Sequence, residues 1–298
     1  MEIHFEIENK CLLECRHCSS YATNMGDTKN YCLDDIKNFL KLFEEEKYVF
    51  FTGGEPLVHC QIDEILHVLN SEIENITLGI FTTGILEQDG QLYPISKEYA
   101  KRLAERGLKI CYFSIYSSCA EKHDWMTKKQ GSYDLSIESM RNVAAEDIEV
   151  KINLVITKKN CKEIDNIIEL ASSLNCTEVR LLKLIRHGRA CECWEDIGLT
   201  EQEYRRIVLE VINKYSGIKI TASSCPDILP CRPSTNAEGC QAGSNLAYIT
   251  YEGEVFPCAS AKNNKYYKIG NLNELRVVHN YFENINCVNQ GILCNTIG

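Results

Sequence analysis

The stretch that decides the fold is Cys11-Leu12-Leu13-Glu14-Cys15-Arg16-His17-Cys18, in which three cysteines follow the spacing CxxxCxxC. An iron–sulfur cubane normally takes four cysteine ligands, one for each iron, so this compact loop supplies three thiolates and leaves one iron free. An open metal position favours chemistry over a purely structural role, as it does at catalytic zinc sites. The alternative is a structural zinc site completed by His17 or by a distant ligand.

A second motif, Gly53-Gly54-Glu55-Pro56, follows the short apolar run that ends at Phe51. Two adjacent glycines allow a turn with positive φ and a close approach of a ligand to the backbone. Taken alone, this GGEP string is also typical of an ordinary turn from a strand into a helix. In this order, the two motifs together favour the cluster over zinc.

The pair of motifs resembles the radical S-adenosylmethionine (SAM) enzymes. The resemblance implies that Cys11, Cys15 and Cys18 bind a [4Fe-4S] cluster whose open iron takes the amino and carboxylate groups of SAM. It also implies reductive cleavage of SAM to methionine and a 5′-deoxyadenosyl radical, which takes a hydrogen atom from the substrate. The cofactor contacts that it implies within the two motifs are His17, Gly53, Gly54 and Glu55.

The composition is that of a folded enzyme without an export signal. The 298 residues, of which 44% are hydrophobic, can bury one large core, or one core with a small appendage. No apolar run is long enough to cross a bilayer and no signal peptide opens the sequence, so we expect a cytoplasmic protein without a membrane partner. The seventeen cysteines are then expected to be reduced thiols and metal ligands. A formal net charge of -10 argues against a nucleic-acid partner.

From residue 2 to about residue 216, strand-like runs alternate with segments of helical period, which predicts a parallel sheet with helices between its strands. Six such units predict an α/β fold with a partial (β/α)6 TIM-type barrel. Its predicted strands are Ile3–Ile7, Tyr48–Phe51, Ile76–Thr82, Lys109–Tyr116, Glu149–Ile156 and Val179–Ile185. Its predicted helices are Leu33–Phe43, Ile62–Leu69, Ser96–Arg106, Tyr133–Ala145, Lys162–Leu174 and Glu201–Tyr215. Barrel chemistry gathers at the C-terminal ends of the strands, where the cysteine loop and GGEP both fall.

The later strand ends give weaker signals. By the same resemblance, Thr83 falls near the methionine part of SAM, Ser114 near its ribose, and Asn153 where a polar residue faces SAM. Arg189 follows a glycine after the sixth strand, and its fork-shaped guanidinium suits a carboxylate. Each of the four is also compatible with ordinary strand-end polarity or a surface turn.

After residue 216 the strand–helix alternation stops and turn residues with cysteines replace it. This change predicts two domains, a barrel over residues 1–216 and a smaller, cysteine-rich domain over residues 217–298. Within the second, Leu246–Tyr251 and Glu254–Phe256 flank a Glu-Gly turn and predict a β-hairpin. Folding of this hairpin brings Cys240, which precedes it, close to Cys258, which ends it.

This C-terminal region resembles the SPASM extension of the radical SAM family, or its shorter relative, the twitch domain. The resemblance implies at least one auxiliary [4Fe-4S] cluster. The full SPASM pattern has a dense array of cysteines near the C terminus and usually carries two extra clusters, whereas this sequence has only Cys287 and Cys294 there. We therefore expect one such cluster, with Cys240, Cys258, Cys287 and Cys294 as its ligands. Cys225 and Cys231 can replace one of the late pair or complete a second site, and zinc or unligated thiols remain an alternative.

Four cysteines without a motif are candidates for returning a hydrogen atom to a substrate radical. They are Cys191 and Cys193, just after the sixth strand, and Cys225 and Cys231, at the entry to the second domain. Free cysteine is also a common small core residue, so this role is one of two open interpretations.

The resemblance implies a ribosomally synthesised peptide as substrate, modified by epimerisation, a thioether bond or a side-chain cross-link. It also implies an electron donor such as flavodoxin or ferredoxin. No leader-binding domain precedes the first strand of this sequence, so we expect the barrel mouth, the auxiliary domain or another protein to recognise the peptide. Two alternatives stay open: small-molecule cofactor biosynthesis of the molybdopterin or haem type, and a non-enzymatic iron–sulfur sensor, which predicts no cleavage of SAM.

Overall fold

The structure is a computed structural model and describes residues 1–26, 31–212, 214–215, 217–223 and 241–284. Its strands are β1 (Glu2–Glu8), β2 (Lys47–Gly53), β3 (Ile76–Thr82), β4 (Ile85–Gln88), β5 (Gln91–Pro94), β6 (Leu108–Ser114), β7 (Glu149–Ile156), β8 (Glu178–Lys183), β9 (Lys219–Ala222), β10 (Leu246–Ile249), β11 (Glu254–Phe256) and β12 (Gly270–Asn271). Its α-helices are α1 (Leu33–Leu40), α2 (Ile62–Glu72), α3 (Lys97–Glu105), α4 (Ala120–Thr127), α5 (Ser132–Ala144), α6 (Ile164–Ser173), α7 (Trp194–Ile197), α8 (Glu201–Ile212) and α9 (Leu275–Asn284). No helix in these described ranges is long and apolar enough to cross a membrane.

The central feature is one sheet in the order β12-β11-β10-β1-β2-β3-β6-β7-β8-β9. Strands β1, β2, β3, β6, β7 and β8 are the six predicted strands, and each pairs in parallel with the next. Predicted and observed ends of these strands and of the six predicted helices agree to within three residues. The predicted partial TIM-type barrel is therefore confirmed.

Along β1, successive side chains point to opposite faces of the strand. One face packs against the helices in the hydrophobic core, and the other faces the inside of the barrel. Ile3, Phe5 and Ile7 belong to the main hydrophobic core, together with residues of the surrounding helices such as Phe39 of α1. The intervening Glu2, His4, Glu6 and Glu8 are also buried, but on the opposite face of the strand. Because buried polar groups need partners, this face requires a network of hydrogen bonds inside the barrel.

Two elements near the strand ends were not predicted. Strands β4 and β5 form a hairpin around Asp89 and Gly90, both at positive φ, and an Asp-Gly pair is a sequence signal for such a turn. Helix α4 follows β6 and buries only His123, Met126 and Thr127. Its sequence lacks the apolar period of an amphipathic helix, so the prediction missed it.

The described C-terminal strands extend the barrel sheet at both edges. The predicted hairpin is present as β10 and β11, with Gly253 at positive φ in its turn. Strand β10 pairs in parallel with β1, and β9 pairs in parallel with β8. The division of the chain at residues 216 and 217 stays a prediction, because much of the region around it lies outside the described residues.

Candidate functional site

A cavity of about 360 Å³ lies at the C-terminal ends of the parallel strands. Its volume is within the range of small-molecule sites in proteins. Nine of the predicted site residues line it together with Cys258 of the hairpin region; these nine are Cys11, Cys15, His17, Cys18, Gly53, Gly54, Thr83, Ser114 and Asn153. Because they come from five separate strand ends, it is the barrel fold that brings them together.

The segment from Asn9 to Gly26, here called the cysteine loop, is fixed by backbone hydrogen bonds. The Cys11 N–H donates to Thr23 O at 2.9 Å, which closes the loop on itself. On the side of β2, Gly54 N–H donates to Glu8 O at 2.6 Å and Glu55 N–H donates to Lys10 O at 2.8 Å. The loop is therefore held by the GGEP turn and does not depend on a metal for all of its contacts.

The glycines of the GGEP turn are required by this close approach. A Cβ on Gly53 would lie 2.1 Å from Glu8 O, and a Cβ on Gly54 would lie 2.1 Å from Lys10 O. Gly53 also has φ of +126°, a conformation that other residues rarely adopt. The sequence reason for the glycine pair is thus the approach of the cysteine loop, in addition to any approach of a ligand.

The three thiols of the loop are suited to a cluster that supplies positive charge. Burial raises the pKa of Cys11 to about 12 and raises that of Cys15 well above its ordinary value, so neither is a thiolate by itself. Among the described residues, no three His, Cys, Asp or Glu side chains lie close enough together to hold a single metal ion. A cubane takes each thiolate on a different iron, so its three ligands need not converge on one metal ion.

A buried ring nitrogen of His17, unpaired in the described part of the chain, indicates that the cavity takes a ligand. Its Nδ1 is buried and has no hydrogen-bond partner among the described residues, although the residue lines the cavity. Burial, with the charge of Arg189, lowers the pKa of His17 to about 4, so its ring is neutral. The ring packs edge-on against Tyr116, which in turn stacks on His123. A neutral, fixed imidazole with a free nitrogen fits a polar ligand in the cavity.

Asn153 is the second such residue. Its Oδ1 is buried and lacks a hydrogen-bond partner within the described part of the chain. In the sheet register Asn153 lies beside Ser114 on one side and Arg180 on the other. The unsatisfied atoms of His17 and Asn153 in one cavity, next to three thiols, fit a cluster together with a polar organic ligand.

Arg180 forms the floor between this cavity and a second one, of about 270 Å³, at the opposite ends of the strands. Its Nη2 donates to Tyr112 OH at 2.7 Å, and its guanidinium carbon lies 4.3 Å from the centre of that ring. Tyr112 OH also donates to Glu178, which accepts a further hydrogen bond from Thr221. The barrel interior thus contains a charged network that supports the site from below.

Glu55 and Arg189 are not among the residues that line the cavity, and each supports it from behind. The Glu55 carboxylate is fully buried and accepts hydrogen bonds from the Thr82 hydroxyl, from the Thr83 N–H and hydroxyl, each at 2.7 Å, and from Leu57 N–H at 3.2 Å. Burial raises its pKa despite these donors. It therefore joins the end of β2 to the end of β3, and its predicted contact with a cofactor stays a prediction.

Arg189 holds the cysteine loop from the opposite side. Its Nε donates to Cys15 O at 2.8 Å and its Nη2 donates to Ala22 O at 3.0 Å. The preceding glycine, at φ +58°, leaves room for the loop, since a Cβ there would lie 2.2 Å from Cys18 O. The guanidinium thus binds loop carbonyls in this structure, and its predicted contact with a carboxylate stays a prediction.

A buried ion pair links the hairpin region to β1 at the rim of the cavity. Glu6 Oε1 accepts hydrogen bonds from Lys262 Nζ at 2.5 Å and from Tyr248 OH at 2.6 Å, and Lys262 also donates to the Ser20 hydroxyl. Burial alone would raise the pKa of Glu6, but the Lys262 ammonium and these hydrogen bonds outweigh it and hold the pKa below the usual 4.5. Sequence reasoning missed this pair, because 256 residues separate its members and neither lies in a motif.

The remaining predicted cysteines fall into two groups. Cys191 is exposed and Cys193 half-buried; the thiol of Cys193 lies 3.5 Å from Arg16 O, behind the loop, and neither residue is among those that line the cavity. Their predicted role as hydrogen donors stays a prediction. The others lie outside the described residues: Cys225, Cys231, Cys240, Cys287 and Cys294.

Family profiles match both halves of the chain. The profile of the radical SAM superfamily matches residues 5–171, which is more than half of the sequence. The profile of SPASM, an iron–sulfur cluster-binding domain, matches residues 240–280. The first match includes the cysteine loop and GGEP, and the second includes the hairpin and Cys258.

The chain is also similar to characterised proteins over most of its length. It is 23% identical to the AdoMet-dependent heme synthase of Oleidesulfovibrio alaskensis over 86% of this chain and 69% of the relative. It is 27% identical to the mycofactocin maturase MftC of Mycobacterium tuberculosis over 86% of this chain and 64% of that protein.

Among solved structures, the fold resembles Streptococcus suis SuiB bound to S-adenosylmethionine, with a TM-score of 0.69 at 16% identity, over 93% of this chain and 65% of SuiB. SuiB bound to its precursor peptide SuiA gives a TM-score of 0.66. At this identity the likeness concerns the fold. The chain spans just under two thirds of MftC and of SuiB.

Proposed function

The chain belongs to the radical SAM superfamily, and from this premise we propose that it cleaves SAM at the barrel mouth in order to modify a ribosomally synthesised peptide. Family membership implies a [4Fe-4S] cluster and SAM, and the SPASM match implies auxiliary iron–sulfur binding. A single observation supports the proposal most strongly: three cysteines, the unsatisfied atoms of His17 and Asn153, and Cys258 share one cavity.

In this proposal Cys11, Cys15 and Cys18 hold the cluster, and the wall formed by GGEP and the later strand ends holds SAM. The bound group supplies one-electron cleavage of SAM and abstraction of a hydrogen atom from the substrate. The protein fixes the cysteine loop through Gly54 and Arg189, so that the three thiols keep one geometry. Such prepositioning reduces the entropic cost of aligning reacting groups.

The walls of the cavity also protect a reactive species from side reactions. Tyr116, Val155 and Leu184 contribute apolar surface to the lining, and the barrel floor is closed by Arg180 and Tyr112. On the rim, Lys262 and Ser20 connect the hairpin region to the cysteine loop. A partly enclosed, substrate-sized mouth suits chemistry that must avoid water and unintended C–H bonds.

The peptide substrate rests on the relatives. SuiB has a structure with a precursor peptide, and the chain is also similar to MftC, which is named as a maturase of mycofactocin. We further propose that Cys258 binds an auxiliary cluster together with Cys240, Cys287 and Cys294. A flavodoxin or ferredoxin as electron donor, a cytoplasmic location and the absence of nucleic-acid and membrane partners complete the proposal.

The test uses anaerobically reconstituted protein, SAM and dithionite. We expect 5′-deoxyadenosine, and we expect none from the Cys15→Ala variant, whereas Cys60→Ala, an exposed cysteine outside the motifs, should leave its formation unchanged. Absence of 5′-deoxyadenosine from wild-type protein that contains the three-cysteine cluster would refute the enzyme assignment. The peptide is tested by mass spectrometry on short peptides encoded next to this gene, for which we expect a mass change that depends on SAM.

A second candidate is a small-molecule enzyme of the haem type, favoured by the similarity to the heme synthases over 86% of this chain. A tetrapyrrole precursor and the neighbouring peptide can be supplied in parallel with the same protein. Conversion of the tetrapyrrole and no change in the peptide would favour this candidate over the first.

A further inference from the structure

On the outer surface beside the cysteine loop, positively charged side chains lie close to the ring of Trp125. Trp125 of α4 is exposed, the Arg16 guanidinium carbon lies 4.4 Å from the centre of its ring, and Lys159 Nζ lies 5.7 Å from it. Lys128 and Lys129 follow at the end of the same helix and are exposed. These five residues, Trp125, Arg16, Lys128, Lys129 and Lys159, are here called the Trp125 patch.

The patch is connected directly to the backbone of the cysteine loop. Arg16 N–H donates to Met126 O at 2.8 Å, and Arg16 Nε donates to Trp125 O at 3.0 Å. Cys15, His17 and Cys18 line the cavity, whereas the Arg16 side chain packs on Trp125. The patch therefore contacts the cluster-binding segment from outside, where neither SAM nor substrate needs to enter.

The segments that carry the patch contain more basic than acidic residues. Residues 14–16, 121–129 and 158–163 contain seven Lys or Arg and four Asp or Glu, in a chain whose formal net charge is -10. The adjoining segment 192–196, which contacts Arg16 O through the Cys193 thiol and Lys158 Nζ through Glu195 O, adds three exposed acids, so the excess of positive charge is confined to the three segments. Two of the four acids in the three segments are already paired, Glu14 with Lys128 at 3.5 Å and Glu163 with Lys122.

A third acid of the segments is directed inward. Asp124 accepts hydrogen bonds from Gly131 N–H, the Ser132 hydroxyl and Tyr133 N–H at the start of α5. Lys129 and Lys159, by contrast, have no acidic partner within ion-pair distance among the described residues. Their ammonium groups thus remain available to an acidic partner.

We propose that the Trp125 patch is the docking surface of a small, acidic, one-electron carrier protein that reduces the cluster of the cysteine loop. The inference rests on the proposed function, which requires one electron for each cleavage of SAM. In this step the carrier loses one electron and the cluster gains it, and no bond or proton changes place.

The physical properties of the patch match such a partner. Complementary charge raises the rate of encounter and is strongly screened by salt. Complexes of electron-transfer proteins are small and weak, which suits a patch of five residues better than a large apolar interface would. An exposed tryptophan at the centre adds the flat apolar contact on which such interfaces depend.

The test compares two double charge reversals in the reconstituted holoenzyme. Lys129→Glu with Lys159→Glu reverses the patch, and Lys97→Glu with Lys101→Glu makes the same change in net charge on α3, where both lysines are exposed. Flavodoxin serves as the acidic carrier and dithionite as the small reductant. Binding of oxidised flavodoxin is measured by calorimetry at low and high salt, and reduction is measured by the loss of cluster absorbance.

We expect the patch variant to bind flavodoxin about ten-fold or more weakly at low salt, to lose most of the salt dependence, and to be reduced more slowly by flavodoxin in the same proportion. Reduction by dithionite should be unchanged in both variants. Wild-type affinity and rate in the patch variant, or an equal loss in the α3 variant, would overturn the proposal. Charge-dependent binding by a wild-type protein that makes no 5′-deoxyadenosine with dithionite would leave the docking surface standing and refute the proposed function alone.

Discussion

Gly54 shows how a single missing side chain defines the site. Its backbone N–H holds Glu8 O, and its Cα lies against the Lys10 peptide, so the cysteine loop passes where a Cβ would be. The atoms that a Cβ at this position would meet belong to the backbone, which cannot move aside as the end of a flexible side chain can. The GGEP motif thus provides the space for the loop, in addition to its proposed contact with SAM.

Replacing Gly54 by Ala should displace the loop, because the added Cβ would lie 2.1 Å from Lys10 O. We expect a loss of about 1–3 kcal/mol of unfolding free energy or more, as for other overpacked sites, together with lower iron content after reconstitution. Urea unfolding and iron analysis measure the two effects. Gly217→Ala is the matched control, since Gly217 has open space around its Cα and should change stability by less than about 1 kcal/mol. Equal stabilities of the two variants would contradict the packing role of Gly54.

Among the elements, the hairpin of β10 and β11 has the clearest effect on the site. Strand β10 pairs with β1, the strand that leads into the cysteine loop, and β11 leads to Cys258 on the wall of the cavity. One antiparallel unit therefore delivers a candidate ligand of the auxiliary cluster to the same mouth. Helix α4 contacts the cysteine loop on the other side, where the carbonyl oxygens of Met126 and Trp125 accept hydrogen bonds from Arg16.

The Cys258→Ala variant tests the hairpin's role as a cluster ligand. Removing one of four thiolates should abolish the auxiliary cluster, so we expect iron and sulfide contents to fall by one cluster, while the signal of the three-cysteine cluster and its SAM-dependent change persist. Electron paramagnetic resonance and iron analysis on anaerobically prepared protein measure this. Cys111→Ala, a change at a buried cysteine of the main core, is the control for loss of a thiol by itself. Unchanged iron content in Cys258→Ala protein would count against the assignment.

At the scale of the whole molecule, the Glu6–Lys262 pair joins the first strand of the barrel to the hairpin region, 256 residues later in the sequence. Both side chains are 7% exposed, and the pair also contacts Tyr248 and Ser20. Removing one member of a buried ion pair leaves the other charge without compensation, which costs about 3–5 kcal/mol. Removing one member of this pair should therefore destabilise the junction between β1 and the hairpin region.

The pH dependence of this link has a defined sign. Since the folded-state pKa of Glu6 lies below 4.5, its contribution to stability is present above pH 4.5 and is lost as the pH falls through the folded-state value. In Lys262→Met protein the ammonium is absent, and burial is opposed only by the remaining hydrogen bonds, such as those from Tyr248 and Tyr251, so the pKa of Glu6 is higher than in the wild type. Less of the contribution of Glu6 to stability is then present as the pH rises above 4.5. We expect the difference in unfolding free energy between wild type and Lys262→Met to widen from pH 3.5 to pH 6.

Urea unfolding at several pH values gives this difference directly. The exposed Lys265 offers the control Lys265→Met, which should show the pH dependence of the wild type. A difference between wild type and Lys262→Met that stays constant over this pH range would show that Glu6 does not change its protonation with the pair.

The sequence by itself determined the parallel barrel, the position of both motifs at one mouth and the hairpin after residue 245. These features follow from local patterns: hydrophobic period selects strands and helices, the turn residues mark their ends, and CxxxCxxC and GGEP are short enough to be recognised without a fold. The sequence pattern did not predict α4, because its eight residues lack an apolar stripe. The β4–β5 hairpin was not predicted either, although Asp89-Gly90 is a sequence signal for its turn.

Only the tertiary structure decided which residues act together. Arg189 reaches Cys15 O across 174 residues, Lys262 reaches Glu6 across 256, and Arg16 joins Trp125 across 109. Such contacts leave no periodic trace in the sequence, because each depends on the register of separate strands and on the space that glycines leave between them. The three-cysteine motif could therefore be recognised from the sequence. The hydrogen bonds from Arg189 to the loop carbonyls, the Glu6–Lys262 pair and the Trp125 patch could be recognised only in the folded chain.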